Sequence, residues 1–522
     1  RDRYKTNYMK NIMKVALLML LAGSIASCNL DKYPDGDAIP EEQAFTTFKD
    51  AGQFRLSLYY FARQCFSSYT VIPVNMQAEG INATLDYGNQ MGFQYTWTFA
   101  DNDGYVEQLW TYCYGGIYQI NYFIQKANEL IERDNSLEEG NENKMTESER
   151  EQLNLYIGEA RLFRAMINHQ LATFYCKDYN PETAKTDWGI ILTDKVDVNA
   201  RNKRSTLFDT YDFINKDLTA GKEALERYYN ELGNPTQYYY LSPLTAQCLE
   251  AKILLHTDQY EAAATAAAAI ADASILINNA DAFADMWKNN TNGTEILFQF
   301  YASLNEGRSQ YGSMFCEDPY NDGKQVQPLY LPSAWLLNLY ASNDIRSQVY
   351  FRSDVPILSG TTLYTGVKYI AKYPGNPALN TTATTNELMQ NVVVYRSADF
   401  VLMAAEAYAQ ANNLDGANKY LEKLLTARIP GYTYTPYASI DEVFAAIKQE
   451  RLKEMFMEGN RIADLKRWGD AMDRTGQDPQ ASSLVVTTGL YLNIPATDYR
   501  FVWPIPQSEK TSNPNISDQL NW

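Results

Sequence analysis

The stretch that decides the fold is QERLKEMFMEGNRIADLKRWG, Gln449–Gly469. Leading into it and within it, apolar residues recur at helical spacing and predict a helix with one buried face. These residues are Val443, Phe444, Ile447, Leu452, Met455 and Phe456. Gly459 predicts the end of that helix. A second, short helix should follow, because apolar residues recur every three positions from Ile462 to Trp468.

A ladder of charged residues accompanies the two apolar faces. Its members are Glu450, Arg451, Glu454, Glu458, Arg461 and Asp464. Opposite charges three or four positions apart on a helix can pair. Carboxylates on one face could instead serve as acid/base groups or metal ligands, but arginines already lie among them and no His or Cys is near. The pattern therefore favours a structural ion network at a helix–helix corner, with neither a catalytic dyad nor a metal site.

The composition is that of an acidic globular protein with many tyrosines. The 522 residues carry a formal net charge of −18, and 40 of them are Tyr, against 21 Phe and 8 Trp. The negative charge argues against nucleic acid as a partner. Because Tyr combines an apolar ring with a polar tip, its surplus indicates both hydrated binding surfaces and half-buried packing positions. The two histidines, His169 and His256, lie in apolar helical patterns and are predicted to pack between helices.

The N-terminal region has the features of a bacterial lipoprotein signal. Met9–Cys28 reads MKNIMKVALLMLLAGSIASC, in which lysines precede an apolar run too short to span a bilayer. Its last four residues, Ile25–Cys28, fit a lipobox and predict lipidation of Cys28. A plain signal peptide, cut near the same place without lipid, is the alternative. Residues 1–27 are thus expected to be upstream sequence and signal peptide, and residues 28–40 a lipidated tether.

The six cysteines give no sign of a metal or redox centre. No pair is spaced as C-x-x-C, which argues against zinc and thioredoxin-like sites. If Cys28 is lipidated, an odd number remains, so at least one thiol should be free. The sequence predicts neither a cofactor nor a bound metal.

Residues 41–522 are predicted to form a single, mainly α-helical domain. The clearest pattern is a helical hairpin, formed once by Pro243–His256 with Tyr260–Ala273 and again by Arg396–Ala411 with Gly416–Arg428. Small residues that would allow close packing of the paired helices are Ala262–Ala264, Ala404, Ala405 and Ala407. This is the tetratricopeptide style of stacking, although the period is not strict.

The remaining chain alternates predicted helices with two irregular regions. The further helices are expected at Glu41–Arg63, at Tyr105–Glu132, from the capping box at Thr146 to about Cys176, and at Ser205–Tyr228. Ser67–Asp103 is predicted to be a loop. About residues 281–391, a loop-rich insertion is expected, with short strands at Glu295–Tyr301 and Val367–Tyr373. Loops held on a helical frame are where recognition usually occurs.

Five landmarks follow one another along the chain. They are the lipobox at Cys28, GEARLFRA at Gly158–Ala165, RSADFVLMAAEAYAQ from Arg396, ERLKEMFMEGNRIADLKRWG ending at Gly469, and FVWPIPQSEKTSNPN from Phe501. Together they resemble the SusD/RagB family of Bacteroidetes outer-membrane lipoproteins. The resemblance implies four tetratricopeptide-like helical pairs with a loop-rich remainder, and no catalysis. It further implies a lipid-anchored protein facing the cell exterior, which captures oligosaccharides or peptides and delivers them to a SusC-like TonB-dependent outer-membrane barrel.

Two loops have the composition of a sugar-binding surface, Asn82–Asp103 and Tyr301–Tyr320. Aromatic rings can bind the C–H faces of a sugar, and polar side chains can bind its hydroxyl groups. The candidate ligand-binding residues are Asp86, Tyr87, Asn89, Tyr95 and Trp97 in the first loop, and Arg308, Tyr311 and Tyr320 in the second. For each aromatic residue, the alternative is that it packs its loop onto the helices.

Two other functions stay open at the level of sequence. A surface glycosidase would need two carboxylates at a fixed separation across a cleft, and no acidic residue stands in a recognisable catalytic setting. A helical scaffold that binds only protein would bind the barrel but neither glycan nor peptide. The ligand itself is not specified by the sequence, because starch, host glycan, plant polysaccharide and peptide are all compatible with it.

Overall fold

Helices make up most of the ordered elements of the protein. The computed structural model describes residues 45–233, 235, 238–289, 295–302, 310–382 and 386–520. The helices are α1 (Phe48–Phe66), α2 (Ser68–Met76), α3 (Gly92–Tyr95), α4 (Gly104–Ser136), α5 (Glu147–Tyr175), α6 (Leu207–Leu232), α7 (Pro243–His256), α8 (Tyr260–Asp272), α9 (Ala280–Asn289), α10 (Ala334–Asn338), α11 (Ile345–Tyr350), α12 (Ser397–Gln410), α13 (Leu414–Arg428), α14 (Ile440–Glu454), α15 (Arg461–Trp468) and α16 (Gln507–Ser512). The predicted mainly α-helical class is confirmed.

The strands are short and form antiparallel pairs. They are β1 (Ile81–Ala83), β2 (Trp188–Ile191), β3 (Arg204–Thr206), β4 (Ile296–Phe300), β5 (Tyr330–Pro332), β6 (Phe351–Arg352), β7 (Ile357–Ser359), β8 (Thr362–Tyr364), β9 (Tyr369–Ile370), β10 (Val392–Arg396), β11 (Met472–Asp473) and β12 (Asn493–Ile494). The pairs are β1 with β5, β2 with β3, β4 with β10, β6 with β9, β7 with β8, and β11 with β12. Most of these pairs lie within the predicted insertion or connect it to other parts of the chain.

Helix α5 begins at the capping box that the sequence predicts. The backbone N–H of Glu149 donates to Thr146 Oγ1 over 3.2 Å, and the Glu149 carboxylate accepts from the Thr146 backbone N–H over 2.8 Å. Both bonds satisfy donors that the first helical turn leaves free. Further along the chain, helix α15 ends at Gly469, which has a left-handed φ of 65°. This conformation costs glycine little.

The scaffold helices pack as successive neighbours, α4 on α5, α5 on α6, α6 on α7 and α7 on α8. Helix α8 then packs on α12, which also contacts α13 and α14. Of the alanines predicted to allow close packing within each helical pair, Ala263, Ala264, Ala404, Ala405 and Ala407 are buried, and Ala262 is exposed.

The charge ladder is a buried ion network, as the sequence predicts. Within it, the Glu454 carboxylate accepts from Arg396 over 2.6 Å and from Arg428 over 2.8 Å. Burial alone would raise the pKa of Glu454, but Arg428 and Arg396 outweigh it and hold the pKa well below its ordinary value. Arg461 could pair with Glu458 three positions before it, but it binds Glu79 over 2.7 and 2.9 Å. The acidic residue Glu458 binds Arg396 instead.

The segment predicted to be a loop at Ser67–Asp103 contains α2, β1 and α3. Helix α2, with the sequence SYTVIPVNM, is almost entirely buried and has Pro73 inside it. A helix that is buried on nearly all sides shows no clear alternation of apolar and polar faces, and an interior proline argues against a helix. These two features explain why the sequence pattern does not reveal α2.

Other expectations can be compared directly with the structure. The residues Ala51–Trp522 form one compact unit. Within the described ranges, the five cysteines Cys65, Cys113, Cys176, Cys248 and Cys316 carry free thiols. His169 and His256 pack against each other, with ring centroids 4.9 Å apart. Over the same ranges, the structure has no helix with the length and apolarity needed to cross a bilayer. Cys28 lies outside the described residues.

Candidate functional site

Two of the predicted ligand-binding aromatics lie in the core. Trp97 and Tyr95 are both 0% exposed. The Trp97 indole Nε1 donates to the Gln77 carbonyl over 2.9 Å, and its ring lies 4.9 Å from that of Phe501. The Tyr95 ring lies 4.3 Å from the Arg474 guanidinium. Neither side chain offers a face to a ligand, so the predicted binding role of both residues is wrong.

The residues of the second predicted loop have different locations. Tyr311 is buried, and its hydroxyl donates to the Phe66 carbonyl over 2.8 Å, so it packs its segment onto the scaffold and lies away from the surface. Tyr320, in contrast, is 67% exposed. It lies on a turn in which its backbone N–H donates to Asp318 Oδ1 over 3.1 Å. Arg308 lies outside the described residues.

The other residues of the first loop reach the surface together. Asp86 and Tyr87 are half-buried, and Asn89 is exposed. The Tyr87 hydroxyl donates to Asn89 Oδ1 over 3.2 Å. The loop is held in place from β5, because the Tyr330 hydroxyl donates to the Gln90 carbonyl over 2.7 Å. This anchoring presents Asp86, Tyr87 and Asn89 on one firmly supported segment.

An open cleft of about 660 Å³ extends from Asn89 to the first turns of α4. We call it the Asn89–Gln108 cleft, and its lining includes Asn89, Gln90, Phe93, Gln94, Thr98, Asn102, Asp103, Tyr105 and Gln108. Phe93 is 54% exposed and supplies an accessible aromatic ring, and the amides supply both donors and acceptors. The cleft has the size of a ligand site and the mixture of groups that hydroxyl-rich ligands require.

The floor of the cleft is hydrogen-bonded to the cap of α4. Gln94 Nε2 donates to Asp103 Oδ1 over 2.7 Å, and the same oxygen caps α4 by accepting from the Tyr105 backbone N–H over 2.9 Å. The other amide atom, Gln94 Oε1, is buried and has no hydrogen-bond partner among the described residues. Gln94 is 0% exposed, so this carbonyl lies beneath the surface of the cleft and is closed to a ligand there.

The cleft shows no arrangement for hydrolysis or metal binding. Among its described lining residues, Asp103 is the one carboxylate, and it is engaged by Gln94 and by the helix cap. Glycoside hydrolysis ordinarily needs two carboxylates across a cleft. In the described part of the chain as a whole, no group of three His, Cys, Asp or Glu residues is placed to hold a metal ion.

A second exposed aromatic surface was missed by the sequence patterns. It comprises Tyr60, Tyr238 and Tyr301, and we call it the Tyr301 surface. The Arg63 guanidinium lies 5.4 Å from the Tyr60 ring and donates to the Tyr301 carbonyl over 3.0 Å. Its polar neighbours Arg63 and Asn391 are buried and already hydrogen-bonded. The run of three tyrosines at residues 238–240 is the sequence feature that could have indicated this surface.

Solved structures with the same fold cover nearly the whole chain. A SusD superfamily protein from Bacteroides thetaiotaomicron has a TM-score of 0.73 and 22% identity, covering 91% of this chain and 100% of its own. A SusD-like carbohydrate binding protein from Bacteroides vulgatus has a TM-score of 0.68 and 15% identity, covering 90% and 98%. A SusD superfamily protein from Parabacteroides distasonis has a TM-score of 0.67 and 17% identity, covering 90% and 99%. At these identities the likeness shows the fold alone.

Two family models match the sequence. One is described as starch-binding associating with outer membrane and matches residues 62–242. The other, described as the SusD family, matches residues 215–522, which is more than half of the chain. No curated protein matches the chain. The extent of the second match, together with the shared fold, confirms the predicted resemblance: the chain belongs to the SusD family.

Proposed function

We propose that the protein is a cell-surface lipoprotein that captures carbohydrate and delivers it to a TonB-dependent outer-membrane barrel. The observation that carries the binding role is the Asn89–Gln108 cleft, where the exposed Phe93 ring adjoins several amides. Apolar ring faces bind the C–H faces of a sugar, and the exposed amides of Asn89, Gln90 and Asn102 can donate to and accept from its hydroxyl groups. Asn89 and Tyr87 extend this surface beyond the mouth of the cleft.

The similar proteins support carbohydrate over peptide as the ligand. One matching family model is described as starch-binding, and one similar solved structure is a SusD-like carbohydrate binding protein. Among the described residues that line the cleft, Asp103 is the one carboxylate, and it already accepts a hydrogen bond from Gln94. This favours binding over glycoside hydrolysis, which ordinarily needs two carboxylates. The lipobox at Cys28 supports a lipid anchor, and the family resemblance supports the barrel as partner.

The cleft is a better candidate for the carbohydrate site than the Tyr301 surface. Both expose aromatic rings, but Arg63 and Asn391 beside Tyr301 already use their polar groups within the protein. The cleft instead combines an accessible ring with exposed amides. The Tyr301 surface therefore provides a useful comparison in binding experiments.

The proposal is tested with residues 29–522 as a purified ectodomain and a panel of polysaccharides and peptides. We expect binding to at least one polysaccharide class, with the ligand recovered intact. Shortened products would contradict a binding role, and binding restricted to peptides would contradict the carbohydrate assignment. Co-purification of the tagged full-length protein from outer membranes tests delivery, because we expect a TonB-dependent barrel as the main partner.

A further inference from the structure

Two of the described cysteines, Cys65 and Cys113, lie where α1 packs against α4. Cys65 lies in the last turn of α1, and Cys113 lies in the first half of α4. Further along the same contact, the Phe54 ring of α1 and the Phe123 ring of α4 are 5.9 Å apart. Cys65 follows Phe54 by eleven positions, and Cys113 precedes Phe123 by ten. Because each residue advances a helix by about 1.5 Å, antiparallel packing brings the two cysteines to the same level.

The two helices approach closely beside the cysteines. Gly116 lies one turn beyond Cys113, and a Cβ atom there would lie 3.7 Å from Cys65 Sγ and 3.8 Å from the Phe61 carbonyl oxygen. The Cys65 thiol is a hydrogen-bond partner of the Cys113 thiol. Burial, and then this neighbour, raise the pKa of Cys113 well above its ordinary value. The two thiols are therefore neighbours in a fully buried contact.

The other described cysteines lie beside groups of other kinds. Cys176 Sγ lies 4.0 Å from Arg204 Nη2. Cys316 Sγ donates to two backbone carbonyl groups, over 3.5 and 3.7 Å. Burial raises the pKa of Cys248 well above its ordinary value, and a nearby carboxylate adds to this effect. Within the described residues, the contact of α1 with α4 is therefore where two thiols are placed together.

The chain between the two cysteines carries the candidate ligand site. Residues 66–112 include α2, β1 and α3, and they also include all of the described lining of the Asn89–Gln108 cleft. A covalent bond between Cys65 and Cys113 would close this part of the chain into a loop of 49 residues. Such a bond restricts the unfolded chain and so favours the folded state.

We propose that Cys65 and Cys113 form a disulfide that joins the two ends of the cleft-bearing segment. The oxidant is another disulfide, carried by a small molecule or a protein outside the cytoplasm. One cysteine thiolate attacks it, breaks its S–S bond and releases one thiol. The second cysteine thiolate attacks the mixed disulfide and releases the other thiol. Two cysteine thiols are thus oxidised, one disulfide is reduced to two thiols, and the two protons pass to the released thiols.

The burial of the two thiols determines when the bond forms. Both side chains are fully buried, and the raised pKa of Cys113 keeps its sulfur protonated in the folded protein. Since the thiolate is the reactive form, the folded thiols are inert. Oxidation therefore belongs to folding, before α1 and α4 close on each other. In the cell it rests on the proposed location outside the cytoplasm, but it does not depend on carbohydrate capture.

Refolding of the ectodomain tests the pairing without depending on export. Residues 29–522 contain five cysteines, which are reduced, unfolded in urea and diluted into glutathione disulfide. We expect three thiols per chain to remain, and mass spectrometry of unreduced peptides should show Cys65 joined to Cys113. Five remaining thiols, glutathione left on either cysteine, or a bond that includes Cys176, Cys248 or Cys316 would overturn the proposal.

Matched variants connect the bond with stability. Cys113→Ala removes one partner, whereas Cys248→Ala removes a thiol that is equally buried and outside the pair. Dithiothreitol should lower the melting temperature of the oxidised parent and of Cys248→Ala equally, and it should leave Cys113→Ala unchanged. Cys65→Ser repeats the test from the other partner, because its hydroxyl can replace the thiol as a donor to the Phe61 carbonyl. Sensitivity that persists in both pair variants would contradict the assignment.

The protein isolated from cells separates a failure of pairing from a failure of export. Thiols are capped with N-ethylmaleimide at lysis, and the unreduced peptides of the full-length protein are analysed. We expect the bond between Cys65 and Cys113 in the membrane fraction, and reduced thiols in a form without residues 1–27 that is kept in the cytoplasm. Reduced cysteines in protein from the membrane would overturn the inference. Cytoplasmic full-length protein would contradict the proposed location instead, and the refolding result would then decide the pairing.

Discussion

The carboxylate of Glu454 lies at the centre of the most heavily charged part of the interior. It contacts the guanidinium groups of Arg346, Arg396 and Arg428, and all four side chains are buried. Assembling such a network costs desolvation energy, but removing one member costs more, because the remaining charges lose their compensation. Glu454 itself therefore acts in folding, through the ion network that it shares with the three arginines.

We expect Glu454→Gln to lower the free energy of unfolding by about 3–5 kcal/mol, because three buried cations lose their shared anion. Urea denaturation of the ectodomain measures this change. Glu139→Gln is the matched control, since Glu139 pairs with Lys144 on the surface and its loss should leave the unfolding midpoint unchanged. Equal stability of the two variants would show that the network contributes little.

The exposed and buried aromatics of the first loop should respond in opposite ways to truncation. Trp97→Ala removes a fully buried indole and its hydrogen bond, so we expect a loss of about 3–5 kcal/mol of stability. Phe93→Ala should leave the melting temperature unchanged, because Phe93 is mostly exposed. Differential scanning calorimetry of the two variants tests this assignment. A stable Trp97→Ala protein would place that side chain outside the core.

His169 should make stability depend on pH. Its pKa is lowered to about 3 in the folded protein, chiefly by burial, against 6.5 when unfolded. Between pH 3 and pH 6.5, the unfolded chain therefore binds more protons than the folded protein. The contribution of His169 to the free energy of unfolding is complete above pH 6.5 and falls as the pH decreases. At pH 5 the loss amounts to about 2 kcal/mol.

Comparison with His169→Gln tests this effect together with that of His256, whose pKa is held well below its ordinary value by burial and then by His169. Burial raises the pKa of Asp178 to about 6, which opposes the histidine over part of the same range and is common to both proteins. Urea denaturation at pH 7 and pH 5 should show that the variant loses less stability than the parent on acidification. Parallel losses in the two proteins would show that His169 titrates normally in the folded state.

At the scale of elements, the contact of α5 with α6 depends on two glycines. A Cβ atom at Gly158 would lie 2.4 Å from Ala224 Cβ, and one at Gly221 would lie 2.9 Å from the Gly158 carbonyl oxygen. Both distances are too short for real atoms, so the two helices can approach this closely only with hydrogen at these positions. Gly158 also begins one of the landmarks that led to the family resemblance.

We expect Gly158→Ala to destabilise the protein by about 1–3 kcal/mol, because the two helices must separate to admit the methyl group. Gly115→Ala in α4 is the control. A Cβ there meets nothing within 4 Å, so the change should stabilise the helix by about 0.5–1 kcal/mol. Thermal unfolding of both variants tests the contact, and a gain in stability at both positions would contradict it.

The ends of helices could be predicted well where the residues that determine them lie close together in the sequence. The bounds of α7 match the expected Pro243–His256, and the cap of α5 at Thr146 is formed as its sequence indicates. The burial of Trp97 and Tyr95 could not be predicted in this way, because Phe501 and Arg474 contact them from far along the chain. Composition alone therefore did not separate the residues of the first loop that reach the surface from those in the core.

At the scale of the whole molecule, the helical scaffold supports the segments that can meet a ligand. The Asn89–Gln108 cleft ends on α4, and the loop before it is tied to β5 through Tyr330. The scaffold thus fixes the position of the cleft without contributing most of its chemistry. This division of roles explains why the family landmarks identify the fold but not the ligand.

The proposed anchor predicts where the protein is found in the cell. Replacing Cys28 removes the thiol that would carry the lipid, so we expect full-length Cys28→Ser to leave the outer-membrane fraction. Cys316→Ser, which changes a free thiol elsewhere, should not alter the fractionation. Fractionation followed by immunoblotting measures both. Membrane association that persists in Cys28→Ser would contradict a lipid anchor at this residue.

The most direct test of carbohydrate capture at the cleft is calorimetric titration of the ectodomain with the preferred oligosaccharide. We expect Phe93→Ala to weaken binding at least about tenfold, because one stacking ring is lost. Tyr432→Ala, at a tyrosine that is 38% exposed on the loop between α13 and α14, should bind like the parent protein. Undiminished affinity in Phe93→Ala, or an equal loss in Tyr432→Ala, would contradict the assignment of the cleft.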